Sequence, residues 1–133
     1  MYSIHVDKNN KILNITIEGH MDINELYAYT QDVTKIVMQY EKKELSIIAN
    51  LERLDPLAQD CLPICIEGLS RVSAYVNKIS FIHKKVLTRM QFERIVDAVN
   101  SKTNPNLNYK ICFTKEEALF FIKEKPKPIY ETE

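Results

Sequence analysis

The hydrophobic period changes repeatedly along this chain, and the order of those changes narrows the fold more than any other feature. Tyr2, Ile4 and Val6 alternate with Ser3, His5 and Asp7, and Leu13, Ile15 and Ile17 alternate with Asn14, Thr16 and Glu18. Both are the period-two pattern of half-buried strands. The polar Lys8-Asn9-Asn10-Lys11 between them tolerates positive φ, so the pair reads as a β-hairpin. Gly19-His20 ends the alternation. Asp22 then offers an N-cap with Glu25 three residues on, and Leu26, Val33, Ile36, Val37 and Tyr40 follow a helical period. The spacing predicts a helix over 22–41.

Three more switches of period follow. Leu45 to Leu51 is a short apolar run rich in β-branched residues, as in a strand buried on both faces of a parallel sheet. A turn through Leu54-Asp55-Pro56 leads to a stripe of Leu62, Cys65, Ile66, Leu69, Val72 and Val76. Proline fits a helix only in its first turn, so Pro63 sets the helix start near Gln59 or Asp60. Lys78 to His83 reads as a strand. Thr88-Arg89-Met90-Gln91 reads as a capping box before Phe92, Ile95, Val96 and Val99. Ser101 to Asn108 is a polar loop, Tyr109 to Phe113 a strand, and Thr114 caps a last helix through Leu119 and Ile122. The order β-β-α-β-α-β-α-β-α implies an α/β fold, a mixed sheet whose N-terminal hairpin supplies an antiparallel edge. One domain over 1–124 and a flexible tail over 125–133 are expected. Ligand sites in such sheets gather at the carboxyl ends of the parallel strands. Here those are the segments after Leu51, Ile82 and Phe113.

The chemistry that the residues offer is sparse. With two glycines in 133 residues there is no glycine-rich phosphate loop, and no Gly-x-Ser-x-Gly elbow is present. Eighteen Lys and Arg balance eighteen Asp and Glu, which argues against nucleic acid as the partner. Three cysteines make no disulfide framework and fit a reducing, cytoplasmic setting. No apolar run is long enough to span a membrane, and the N-terminus lacks a signal-peptide pattern. His5, His20 and His83 are far apart and read as strand-surface or turn residues. Cys61 and Cys65 share a helix face but lack two further ligands for a metal. Cys65 reads as part of the core stripe. Cys61 reads as a small residue that fits, or as a reactive thiol in a first turn. Asp60 suits the positive end of the second helix, and His83-Lys84-Lys85 reads as a solvated basic turn. Neither a cofactor nor a metal is expected.

The order of elements, joined to several local sequences, resembles the STAS domain of bacterial anti-sigma factor antagonists. Gly19-His20-Met21-Asp22 is similar to the Gly-x-hydrophobic-Asp step that ends the second strand in that family. Leu45 to Leu51 is similar to its central strand, and Tyr109 to Ile122 to its closing strand and helix. Leu54-Asp55-Pro56-Leu57-Ala58-Gln59-Asp60-Cys61-Leu62 falls where the family carries hydrophobic-Asp-Ser-Ser-Gly-Leu. The resemblance spans residues 2–123.

In that family a Ser or Thr at the start of the second helix is phosphorylated by a partner kinase. Aligning Leu62 with the family's Leu puts Gln59 and Asp60 on the two Ser positions and Cys61 on the Gly. Asp55 through Leu62 contains no Ser, Thr or Tyr, so a fixed carboxylate stands where relatives place a switchable hydroxyl. The resemblance implies a non-enzymatic STAS-like module that binds a protein, of anti-sigma factor or signalling type, through Asp55, Leu57, Gln59, Asp60 and Cys61. Asp55, Gln59 and Asp60 would make polar contacts and Leu57 an apolar one. A homodimer is a further expectation, because the hairpin leaves a sheet edge. A small-ligand carrier for a nucleotide or lipid is the alternative. An enzyme using Cys61 as nucleophile, with His83 as its base, ranks last.

Overall fold

The structure, a computed structural model, describes residues 1–102 and 107–125. The expected order of elements is present. The hairpin is β1 (Tyr2–Asp7) and β2 (Ile12–Gly19), followed by α1 (Ile23–Val37), β3 (Ser46–Leu54) and a 3₁₀ turn (Gln59–Cys61). Then come α2 (Leu62–Ser73), β4 (Ile79–Ile82), α3 (Val86–Lys102), β5 (Tyr109–Cys112) and α4 (Lys115–Lys123). The five strands form one sheet in the order β1-β2-β3-β4-β5. β1 pairs antiparallel with β2, and every other pair is parallel.

Side-chain alternation sorts the sheet into two faces. Leu13, Ile15, Ile17, Ile47, Ala49, Ile79 and Phe81 face α1, α2 and α3 and join the main core. Ile12, Ile48, Ile82 and Cys112 face the other way, against Ala118, Leu119 and Ile122 of α4. β3 is covered on both sides, which explains its continuous apolar run. β1 alternates between half-buried and exposed residues because it forms an edge.

Local chemistry closes each turn. Asp7 accepts from the Asn10 backbone N–H at 3.1 Å and from Asn10 Nδ2 at 2.8 Å, which holds the Asp7 carboxyl below its ordinary range. Gly19 sits at φ +70°, a left-handed conformation that glycine reaches without strain, so β2 ends there. The Asp22 carboxylate caps α1 by accepting from Glu25 N at 2.8 Å.

Several expectations change. α1 stops at Val37 rather than 41, and Glu25 does not reach back to Asp22 but pairs with the Met1 ammonium at 2.8 Å. Thr88 does not cap α3; it is buried in the helix's first turn and donates to Lys85 O at 3.1 Å. β3 runs three residues past Leu51, and Ser101 and Lys102 belong to α3. The rest of the expected polar loop falls partly on residues 103–106, outside the described residues, as do residues 126–133 of the expected tail.

α2 is turned from the expected stripe. Its buried positions are Ile64, Gly68, Val72 and Ser73, while Leu62, Cys65, Ile66 and Leu69 are only half-buried. The reason is Gly68, where a Cβ would come within 2.8 Å of Thr30 Cγ2. The missing side chain lets α2 settle close against α1, a contact that a count of large apolar residues does not register.

Candidate functional site

The loop between β3 and α2 lies at the carboxyl end of the sheet and is tied down on three sides. Asp55 N donates to Gly19 O at 3.0 Å, joining it to the end of β2. Lys85, just before α3, reaches Asp55 Oδ1 at 3.3 Å and Leu54 O at 3.4 Å. The Gln91 carboxamide of α3 grips the backbone of Leu57 at both ends. Its Oε1 accepts from Leu57 N and its Nε2 donates to Leu57 O, each at 2.8 Å. A primary amide paired with a peptide unit mimics one rung of a sheet, so the loop is held without a strand partner.

The clamp sorts the expected site residues into two groups. Asp55, Gln59 and Asp60 are exposed, together with Pro56 and Ala58. Leu57 and Cys61 are buried and face the main core, so they anchor the loop from beneath rather than present contacts. The physical reason is the 3₁₀ turn, which points Asp60 outward and Cys61 inward at successive positions. Cys61 Sγ lies 3.9 Å from Met21 O, and burial together with the nearby Asp60 carboxylate pushes its thiol pKa up. That is the reverse of an activated nucleophile. Cys65 is likewise pushed up by burial, to about 12.

His83 corrects the sequence reading outright. It is fully buried at the end of β4, with its ring 4.8 Å from that of Phe92 and Nδ1 3.4 Å from Thr88 Oγ1. Thr88 gives its own proton to Lys85 O, so its oxygen receives the Nδ1 proton and Nε2 is left as an acceptor with no partner among the described residues. Burial, with the Arg89 guanidinium adding to it, lowers the His83 pKa to about 4. The basic turn is not free either: Lys84 pairs with Glu52 at 3.6 Å and Lys85 with Asp55.

Two features at this end escaped the sequence reading. The first is the Gln91 clamp, whose partners lie 34 residues apart; Gln91 had a ready local explanation as a capping residue. The second is a set of exposed apolar side chains at the start of α3 and just after β5. Val86 is 63% exposed, Leu87 64%, Met90 45% and Phe113 52%, and the Arg89 guanidinium lies 5.5 Å from the Phe113 ring centroid. Exposed apolar clusters rimmed by charge mark interaction surfaces. Among the described residues no group of three or more His, Cys, Asp or Glu is placed to hold a metal ion, and no helix is long and apolar enough to cross a membrane.

No protein-family model matches this chain, and neither does any curated protein sequence. Solved structures do match. An anti-sigma factor antagonist from Mycobacterium paratuberculosis is 12% identical, with 93% of this chain and 96% of that one covered and a TM-score of 0.65. The anti-sigma factor antagonist SpoIIAA in its unphosphorylated form is 15% identical over 92% and 96% of the chains, at a TM-score of 0.63. An uncharacterized DUF3478 protein with a SpoIIAA-like fold from Shewanella loihica is 14% identical over 92% of each chain, at 0.67. Sheet order, helix placement and these matches together give the chain the SpoIIAA-like fold, that of a STAS-like domain.

Proposed function

We propose that this chain is a regulatory protein-binding module whose docking surface is the clamped loop over 55–60 with its apolar flank on α3 and Phe113. The observation that carries the reading is the pairing of Gln91 with Leu57. It adds to the ties from Gly19 and Lys85 and fixes the middle of the loop, and a surface fixed before contact loses less entropy on binding. Asp55, Gln59 and Asp60 supply polar contacts at the rim. Val86, Leu87, Met90 and Phe113 supply apolar area beside them. Leu57 and Cys61 serve the surface by holding it in place.

Regulation by a phosphoryl group on this loop is not part of the reading. One similar solved structure is SpoIIAA in its phosphorylated form, but here residues 55–62 offer no hydroxyl to accept a phosphate. The fixed Asp60 charge makes the surface permanently acidic at that point. A partner with a basic or amide-rich contact beside an apolar patch fits it.

The test is a pull-down from the native host that compares the wild type with Asp60→Lys, Met90→Asp and a remote control, Lys8→Glu. The reading expects one protein retained by wild type and Lys8→Glu and lost with both site variants. Equal retention by all four would overturn it. Intact-mass analysis of the purified chain is expected to show no phosphate on residues 55–62.

A further inference from the structure

A cavity of about 80 Å³ lies inside the main core, between the sheet and α1, α2 and α3. Its walls are almost wholly apolar. Ala49 forms part of its floor, and Val33, Val72 and Phe92 are among the helix residues that close it. Leu57 of the clamped loop also reaches it. Of the residues that line it, Tyr29, Cys65 and Leu69 are half-buried and the others buried, so these three mark the way in between α1 and α2.

The polar groups at that rim and just beneath it are few. Thr30 has given its hydroxyl proton to Tyr27 O at 2.9 Å. Tyr29 packs edge-on against Tyr2, with ring centroids 5.5 Å apart. Burial raises the pKa of both Tyr29 and Cys65, so each stays protonated and neutral. No Lys, Arg, Asp, Glu or His lines the cavity. A dry apolar void in a protein interior loses dispersion contacts on every wall, and voids of this kind take up small apolar molecules; an engineered one of about 150 Å³ binds benzene or xenon. This one is about half that size.

We infer that the cavity beneath α2 is a binding site for a small, uncharged, mainly aliphatic molecule that carries one neutral hydrogen-bonding end. The aliphatic body lies over Ala49, and the polar end meets the Tyr29 hydroxyl at the rim. Charged analogues are excluded, because nothing in the walls pairs with an ion and burial of an unpaired charge is very costly. The inference stands apart from the docking role of the loop: either can fail without the other.

The experiment uses the full chain labelled at Ile, Leu and Val methyl groups, followed by NMR. Xenon and isobutanol are the probes, and isobutyrate at pH 7 is the charged control. The expected result is saturable shifts at Val33, Val72 and Leu57 with xenon and isobutanol, and at least tenfold weaker binding of isobutyrate. Ala49→Leu fills the space and is expected to abolish the saturable shifts. Ala49→Val, a smaller intrusion, is the second variant and is expected to weaken them if Ala49→Leu does not fold. Shifts that stay linear with probe concentration, fall on surface methyls, or persist unchanged in a folded Ala49 variant would overturn the inference. Tyr29→Phe is expected to weaken isobutanol several-fold and leave xenon unchanged; equal affinity of isobutanol for both forms would remove the assigned hydroxyl contact.

Discussion

On one face of the sheet three helices enclose a deep core that runs from Leu13 to Ile95 and Val96; on the other, α4 alone covers Ile12, Ile48, Ile82 and Cys112. The thick face is held by apolar area in such excess that it tolerates a cavity and a fully buried histidine. The thin face has little area to offer and relies on a polar anchor. Lys78, 9% exposed, donates to Phe121 O at 2.9 Å and to Glu124 O, and its ammonium lies 5.1 Å from the Phe121 ring centroid. A cation at the carbonyl end of a helix meets both its last carbonyl oxygens and its dipole. The difference shows that one sheet can be covered by two unlike devices, and that the device follows from how many helices share the face.

That contrast can be broken experimentally. Leu51→Ala, on the thick face and 1% exposed, is expected to cost about 2–5 kcal/mol in urea unfolding, since a buried Leu leaves both lost transfer energy and a cavity. A loss below 1 kcal/mol would mean that the core collapses around the gap and is less rigid than described.

Acid sensitivity is the second expectation, and it belongs to the thick face. The His83 pKa is about 4 in the folded chain, below its ordinary 6.5. The unfolded chain therefore binds the proton first, and His83's contribution is complete above pH 6.5 and lost as pH falls toward 4. The shift corresponds to about 3 kcal/mol. Urea midpoints of wild type and His83→Phe, measured at pH 7 and pH 4.5, should diverge, with the variant losing less on acidification. Parallel losses would show that the imidazole is already charged or solvated.

Lys78→Ala is the third and is expected to cost about 1.5–3 kcal/mol, as for hydrogen bonds to a charged group. Its signature is local. Hydrogen exchange should accelerate along α4 and leave α1–α3 unchanged. If exchange rises evenly through the molecule, α4 is not separately anchored and the two faces form one cooperative unit.

Much of this architecture was legible because period-two and helical patterns reflect local geometry. The hairpin, the Asp22 cap, the Thr114 cap, which accepts from Glu117 N at 3.2 Å, and the continuous run of β3 follow from neighbours in the chain. So does the absence of a hydroxyl between Asp55 and Leu62. Which of the loop residues are exposed was not legible: Asp55, Gln59 and Asp60 face outward while Leu57 and Cys61 are buried, because their orientation depends on what packs beneath the 3₁₀ turn.

The amino-acid sequence by itself determined the order of strands and helices, the strand buried on both faces, and the lack of any hydroxyl side chain between Asp55 and Leu62. These depend on residues at most a few positions apart, where backbone geometry dictates which side chains meet. Only the tertiary structure decided that Gln91 grips Leu57, that Gly68 brings α2 onto Thr30, that His83 is buried and that a void lies over Ala49. Each of these is a contact, or a missing one, between segments distant in sequence. Its energy comes from shape and hydrogen bonding after the layers close, and no local periodicity encodes that.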